Sequence, residues 1–151
     1  MQLVRYTTSD LPAWGIRRTE EIIPLAGIRE EITYQQLTDS GFLRVVKDAA
    51  DAMTRQAIPI SDANLLAPVP RPGKIICVGL NYHDHAEEQG EDIPERPLLF
   101  GKSGTAVTNP GDPIIHPTEL DEVDFEVELG VVIGRTAKDV STADARDYIA
   151  G

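Results

Sequence analysis

EVDFEVELGVVIG, residues 122–134, alternates with period two. Val123, Phe125, Val127, Leu129, Val131 and Ile133 fall on one side, and Glu122, Asp124, Glu126 and Glu128 on the other. That pattern predicts a β-strand with one core face and one acidic face, its carboxylates about 6.5–7 Å apart along the chain. A solvated face usually mixes signs; four like charges in a row repel unless a cation sits among them. Beyond Glu128 the acidic side continues as Gly130 and Val132, small and apolar, so the strand is expected to enter the protein at Glu126–Glu128. Two carboxylates there would need compensation, which a hard divalent cation plus a third oxygen donor supplies. The strand alone leaves both readings open: a metal-binding edge or a charged solvated face.

Working outward, Gly134 ends the strand, and STADARDYIAG (141–151) is expected to form a helix capped by Ser141 or Thr142. Upstream, RPLLFGKSGTAV (96–107) is a strand region, and the Pro110–Gly111 pair makes a turn. KIICVGL (74–80) reads as a short buried strand, and 83–89 as a short helix. APVPRPGK (67–74) holds three prolines and a glycine, which suits a linker rather than a helix or a central strand. Before it, QLVRYTT and WGIRRTEEIIPL read as strands separated by a turn at Ser9–Pro12. GFLRVVKDAADAMTRQ (41–56) is an amphipathic helix with Phe42, Val45, Val46, Ala49 and Met53 at three- and four-residue spacing, capped by Asp39 or Ser40. ISDANLLAPV is a further short strand. The expected organisation is a small α+β lead-in domain at 1–66, a proline-rich linker at 67–74, and the opening part of a second domain at 75–151.

The bulk numbers exclude some functions. With 41% hydrophobic and 26% charged residues, the 151-residue chain has the composition of a globular domain. No apolar run reaches the roughly 18 residues of a membrane span, and the N-terminus lacks a signal-peptide pattern. A net charge of -11 repels a phosphate backbone, so no nucleic-acid or membrane partner is expected. The single cysteine, Cys77, lies in an apolar run and reads as a buried small hydrophobe rather than a nucleophile. The expected location is cytoplasmic.

NYHDHAEEQG (81–90) concentrates titratable groups. On a helix, His85 and Glu88 share a face at i,i+3. A carboxylate bonded to one imidazole nitrogen fixes the tautomer and frees the other nitrogen as a general base. An ordinary surface helix fits the same residues, and a His83–x–His85 zinc site lacks further ligands nearby. Lys102, after the Leu–Phe pair, reads either as an anion-binding group or as a solvated strand end.

The order of these blocks resembles the fumarylacetoacetate hydrolase family. PRPGKIICVGLNYHDHAEE, PLLFGKSGTAV, NPGDPI, VDFEVELGVVIG and DYIAG carry the likeness over roughly residues 65–151. The resemblance implies a mixed β-roll core, here seen as its first half after a variable lead-in domain, and homodimers of the full-length protein. It implies Mg²⁺ or Mn²⁺ held by three carboxylates, two of them Glu126 and Glu128, with a third, an aspartate, beyond Gly151. It places a general base at His85, an orienting acid at Glu88 and a substrate contact at Lys102. The implied reaction is metal-assisted hydrolysis of a C–C bond in a 1,3-diketo acid such as an acylpyruvate, through a stabilised enolate. Oxaloacetate decarboxylation and dienoate isomerisation use the same constellation. The residues present lack the third ligand, so the 151-residue chain alone is expected to be inactive. The alternative of another class is a non-catalytic fragment with an incomplete metal site.

Overall fold

A computed structural model of the chain describes residues 1–9, 11–25, 32–52 and 56–151. The described residues group into two units, one of residues 1–66 with 113–151 and one of residues 67–112. The second unit begins at Ala67, in the proline-rich segment. Residues 113–151, however, pack with the first 66 residues rather than with 75–112. The reason is local: the segment around Gly134 sits against Tyr34 and Thr38, and Ala150 packs on the first unit's core.

In the first unit, alternating apolar residues make an antiparallel meander. β1 (Gln2–Thr7) pairs with β2 (Ala13–Arg18), and β2 with β3 (Glu21–Pro24). The stretch WGIRRTEEIIPL, expected as one strand, is thus a hairpin. Its turn falls at Thr19–Glu20, where Thr19 takes the left-handed conformation (φ 44°) that reverses the chain. Asp10, in the expected turn before β2, lies outside the described residues.

α1 (Ser40–Ala52) starts as the sequence predicts. The Asp39 carboxylate accepts from the N–H groups of Gly41 (2.8 Å) and Phe42 (3.2 Å), two of the donors that a helix start leaves unpaired. Its inward stripe is Phe42, Leu43, Val46 and Ala50, whereas Val45, expected in the core, is exposed because it lies a quarter-turn off that stripe. Met53 and Arg55 of the expected helix lie outside the described residues. Ile16, Ile23, Leu25, Leu37, Val46 and Ala50 form one buried cluster between sheet and helix. Tyr6 is buried too, which pushes its phenol above its ordinary value.

The expected strand over ISDANLLAPV divides into a 3₁₀ turn at Ile60–Asp62 and β5 (Asn64–Leu66), preceded by β4 (Ile58–Pro59). The sheet order is β4-β3-β2-β1-β5. One short segment therefore supplies both edges: Ile58 pairs with Ile22, and Leu65 with Tyr6. Five strands laid flat put their edges about 19 Å apart, at roughly 4.8 Å per step. The path from Pro59 to Asn64 spans at most about 18 Å extended, and less with a 3₁₀ turn in it. The sheet must curl to bring its edges within reach, and the unit is a mixed α+β fold around a curled sheet.

The second unit contains β6 (Ile75–Gly79) paired antiparallel with β7 (Leu98–Lys102), and α2 (His83–Gln89) between them. The sequence predicts a buried strand at β6, but Ile76 and Val78 are exposed, as are Leu98, Leu99 and Phe100 on β7. Two strands alone cannot bury both faces, and no further strand joins them among the described residues. Cys77 is half-buried. The ends of this unit are tied by a polar relay: Asp112 Oδ2 accepts from the Asn109 amide nitrogen at 2.8 Å, and Asn109 Oδ1 accepts from the Ala67 N–H at 3.0 Å.

The helix expected from Ser141 is only a 3₁₀ turn, Ala145–Tyr148. Asp144 and Ser141 bond to each other ahead of it, and Ile149 must turn extended (ψ 125°) to bridge Ile133. Among the described residues no helix is long and apolar enough to cross a membrane.

Candidate functional site

The histidines sit where a short helix can hold them. Tyr82 is extended, and its carbonyl accepts from the Ala86 N–H to close the first turn of α2. Gly90 ends the helix in the left-handed conformation (φ 68°), which lets its N–H reach the Glu87 carbonyl and the Glu91 N–H reach that of Ala86. Ala86 is buried and marks the inner face of α2. His85 beside it is half-buried, while His83, Glu87 and Glu88 face solvent.

The His85 ring bonds to Gln89, Nε2 to amide nitrogen at 2.7 Å. The expected His85–Glu88 bond is not among the hydrogen bonds formed. Side chains four apart on a helix lie nearly above one another, and the Gln89 amide reaches the ring from that position. The pairing of His85 with Glu88 leaves Gln89 out; its i+4 spacing from His85 is the sequence signal for it. Lys102 ends β7, paired in register with Ile75, and is exposed.

The acidic segment departs most from expectation. Its residues form no ladder among the described residues; a single antiparallel bridge joins Ile133 to Ile149. The Val132 N–H donates to the Gly151 carbonyl, the Ala150 N–H to that of Val132, and the Gly134 N–H to that of Tyr148. Upstream of this anchor the supposed core face lies open: Phe125 is 83% exposed, Val127 87% and Leu129 82%. Glu126 and Glu128 are exposed as well, so the segment does not enter the protein there. A strand buries a face only when a neighbouring strand and a second layer cover it, and within this unit none pairs with residues 121–131 among the described residues.

Glu126 and Glu128 carry the hard oxygen donors that Mg²⁺ or Mn²⁺ takes. Among the described residues, no three His, Cys, Asp or Glu side chains gather into a set able to hold a cation. The donors match such a cation in kind and fall short of it in number.

Residues 74–151, just over half the chain, match the family model described as "Fumarylacetoacetate (FAA) hydrolase C-terminal". The chain belongs to the fumarylacetoacetate hydrolase family. It is 52% identical over 99 residues to a fumarylacetoacetate hydrolase domain-containing protein 2 homolog from Dictyostelium discoideum, covering 66% of this chain and 32% of that protein. It is 49% identical over 94 residues to the mitochondrial oxaloacetate tautomerase Fahd2a of Rattus norvegicus, covering 62% and 30%. Among solved structures, an uncharacterized protein from Mycobacterium abscessus aligns at 34% identity with a TM-score of 0.68, over 99% of this chain and 52% of that one. Maleylpyruvate hydrolase from Sphingobium sp. SYK-6, solved with manganese(II) and pyruvate, shares the fold at 24% identity and a TM-score of 0.73, over 99% and 55%. The chain thus spans about a third of the length of the curated relatives and about half that of the solved ones.

Proposed function

We propose that this chain supplies the proton-transferring groups, and two of the cation ligands, of an enzyme that interconverts the keto and enol forms of a 2-oxo dicarboxylate of the oxaloacetate type. The observation that carries the reading is the half-buried imidazole of His85, one ring nitrogen hydrogen-bonded, inside the family-matched residues. Support comes also from relatives named oxaloacetate tautomerases, 41–49% identical over 62–72% of this chain.

Enolisation moves a proton from the carbon between two carbonyls to an oxygen. The group that carries it must change charge near neutral pH, which histidine does. In this reading His85 takes the C–H proton and returns it, Glu88 steadies the imidazolium, and Lys102 offsets a substrate carboxylate. Glu126 and Glu128 are two ligands of a set that needs a further oxygen donor. Hydrolysis of an acylpyruvate would use the same base on water instead of carbon, and it shares the enolate.

The test is the rate of enol-to-keto conversion of oxaloacetate, followed by loss of the enol's ultraviolet absorbance, with the gene product as encoded and added Mn²⁺ or Mg²⁺. Acetylpyruvate cleavage is measured beside it. Faster tautomerisation that fails in His85→Ala supports the reading; acetylpyruvate cleavage without tautomerisation replaces it with the hydrolase, and acceleration indifferent to His85 refutes both.

A further inference from the structure

We propose that Gln89 is a positioning residue for His85, selecting its tautomer; the proposal rests on the reading of His85 as a base. The Gln89 amide nitrogen lies 2.7 Å from His85 Nε2. We assign the amide NH₂ as the donor of this contact, which makes Nε2 the acceptor and puts the ring proton on Nδ1. That tautomer presents an Nδ1–H donor to a carboxylate and keeps Nε2 as the basic nitrogen, which is the arrangement a histidine–carboxylate base requires. The lone pair that would take the substrate's proton is engaged by Gln89 in this structure, so the amide also holds the place a reacting O–H or C–H would occupy.

The local chain favours this pairing over alternatives. Buried Ala86 anchors the helix face beside His85, and the left-handed turn at Gly90 stops α2 immediately after Gln89. Asp84 is engaged elsewhere, its Oδ1 accepting from the His85 backbone N–H at 3.0 Å, and is not bonded to the ring. Glu88 is not hydrogen-bonded to the ring either, so Gln89 is the side chain that sets the ring's proton.

The experiment is ¹⁵N NMR of the histidine ring nitrogens in the full chain, above the pH at which the imidazole is charged, with His83→Asn and His116→Asn used for assignment. Three proteins are compared: wild type, Gln89→Ala and Gln89→Glu. All three residue types are good helix formers, so α2 is kept. In wild type, His85 is expected as the Nδ1–H form. Gln89→Ala releases it toward a mixture, and Gln89→Glu, whose carboxylate only accepts, inverts it to Nε2–H. A His85 tautomer unchanged across the three overturns the proposal. In the active gene product, Gln89→Ala is expected to lower kcat, and Gln89→Glu, which inverts the tautomer, to lower it further. A tautomer lock in a protein without His85-dependent activity would refute the proposed function and leave the pairing standing. An active enzyme with no lock would do the reverse.

Discussion

Replacing Gly134 by alanine tests whether the acidic segment is anchored as described. A Cβ at this position would overlap the Thr38 methyl, lie 2.7 Å from the Tyr34 carbonyl oxygen and stand 2.9 Å from Ala150 Cβ. The threonine can rotate away, but the Tyr34 carbonyl cannot: it accepts the Leu37 N–H that starts the 3₁₀ turn at Gln36–Thr38. Either that turn or the pairing of residues 132–134 with 148–151 must move. Overpacking of this kind costs about 1–3 kcal/mol, and contact with fixed backbone puts this site near the top, at about 2–3 kcal/mol. For a chain of this size that lowers Tm by roughly 5–10 °C. The matched control is Gly130→Ala, where an added Cβ meets nothing within 4 Å, so stability should change by no more than about 0.5 kcal/mol. Thermal melts followed by circular dichroism measure both, and amide exchange at Val132, Gly134 and Ala150 reports the anchor directly. Equal melting temperatures for the two variants, with unchanged exchange, would refute the anchoring argument.

Leu25, fully buried between sheet and helix, should cost about 2–5 kcal/mol as Leu25→Ala, read from urea unfolding. Asp112 is held below its ordinary value of 3.8, first by the Asn109 side-chain amide and then by the Asn109 backbone N–H. Because its folded pKa lies below the unfolded one, its contribution is present above the unfolded pKa and disappears as pH falls through the folded value. Asp112→Asn should therefore be less stable than wild type at neutral pH, and the gap should close in acid; a gap that widens in acid contradicts the relay. The exposed Arg18–Asp51 ion pair should give a coupling of only about 0.2–1 kcal/mol in a double-mutant cycle, shrinking with salt. Glu126→Gln and Glu128→Gln should each weaken Mn²⁺ binding measured by electron paramagnetic resonance, and binding by the chain that ignores both would remove them from the ligand set.

Local patterns in the sequence carried much of this fold. The period-two stretches at the N-terminus became β1, β2 and β3, and Asp39 capped α1 because the cap needs only its own neighbours. The histidine helix was equally legible, bounded by extended Tyr82 and left-handed Gly90. What failed depended on partners distant in sequence. Residues 122–131 have a strand's alternation but no ladder, since alternation says which side a residue would face and not whether another strand lies alongside. The grouping of residues 113–151 with the first 66 rests on a close approach at Gly134 that no composition signals. At the candidate site, residue type and spacing single out His85 as a candidate, whereas its bond to Gln89 depends on the choice between two nearby side chains at i+3 and i+4.

The connector between β4 and β5 is in effect a ruler. Because residues 59–64 must reach from one margin of the sheet to the other, their number sets how tightly the sheet can bend. An insertion there is not a neutral lengthening of a surface loop. Each added residue slackens the bend and loosens the packing of the Tyr6 and Ile22 side chains over Gly15, so tolerance to length change at this one connector measures how far the curvature of the whole sheet is imposed from outside its strands.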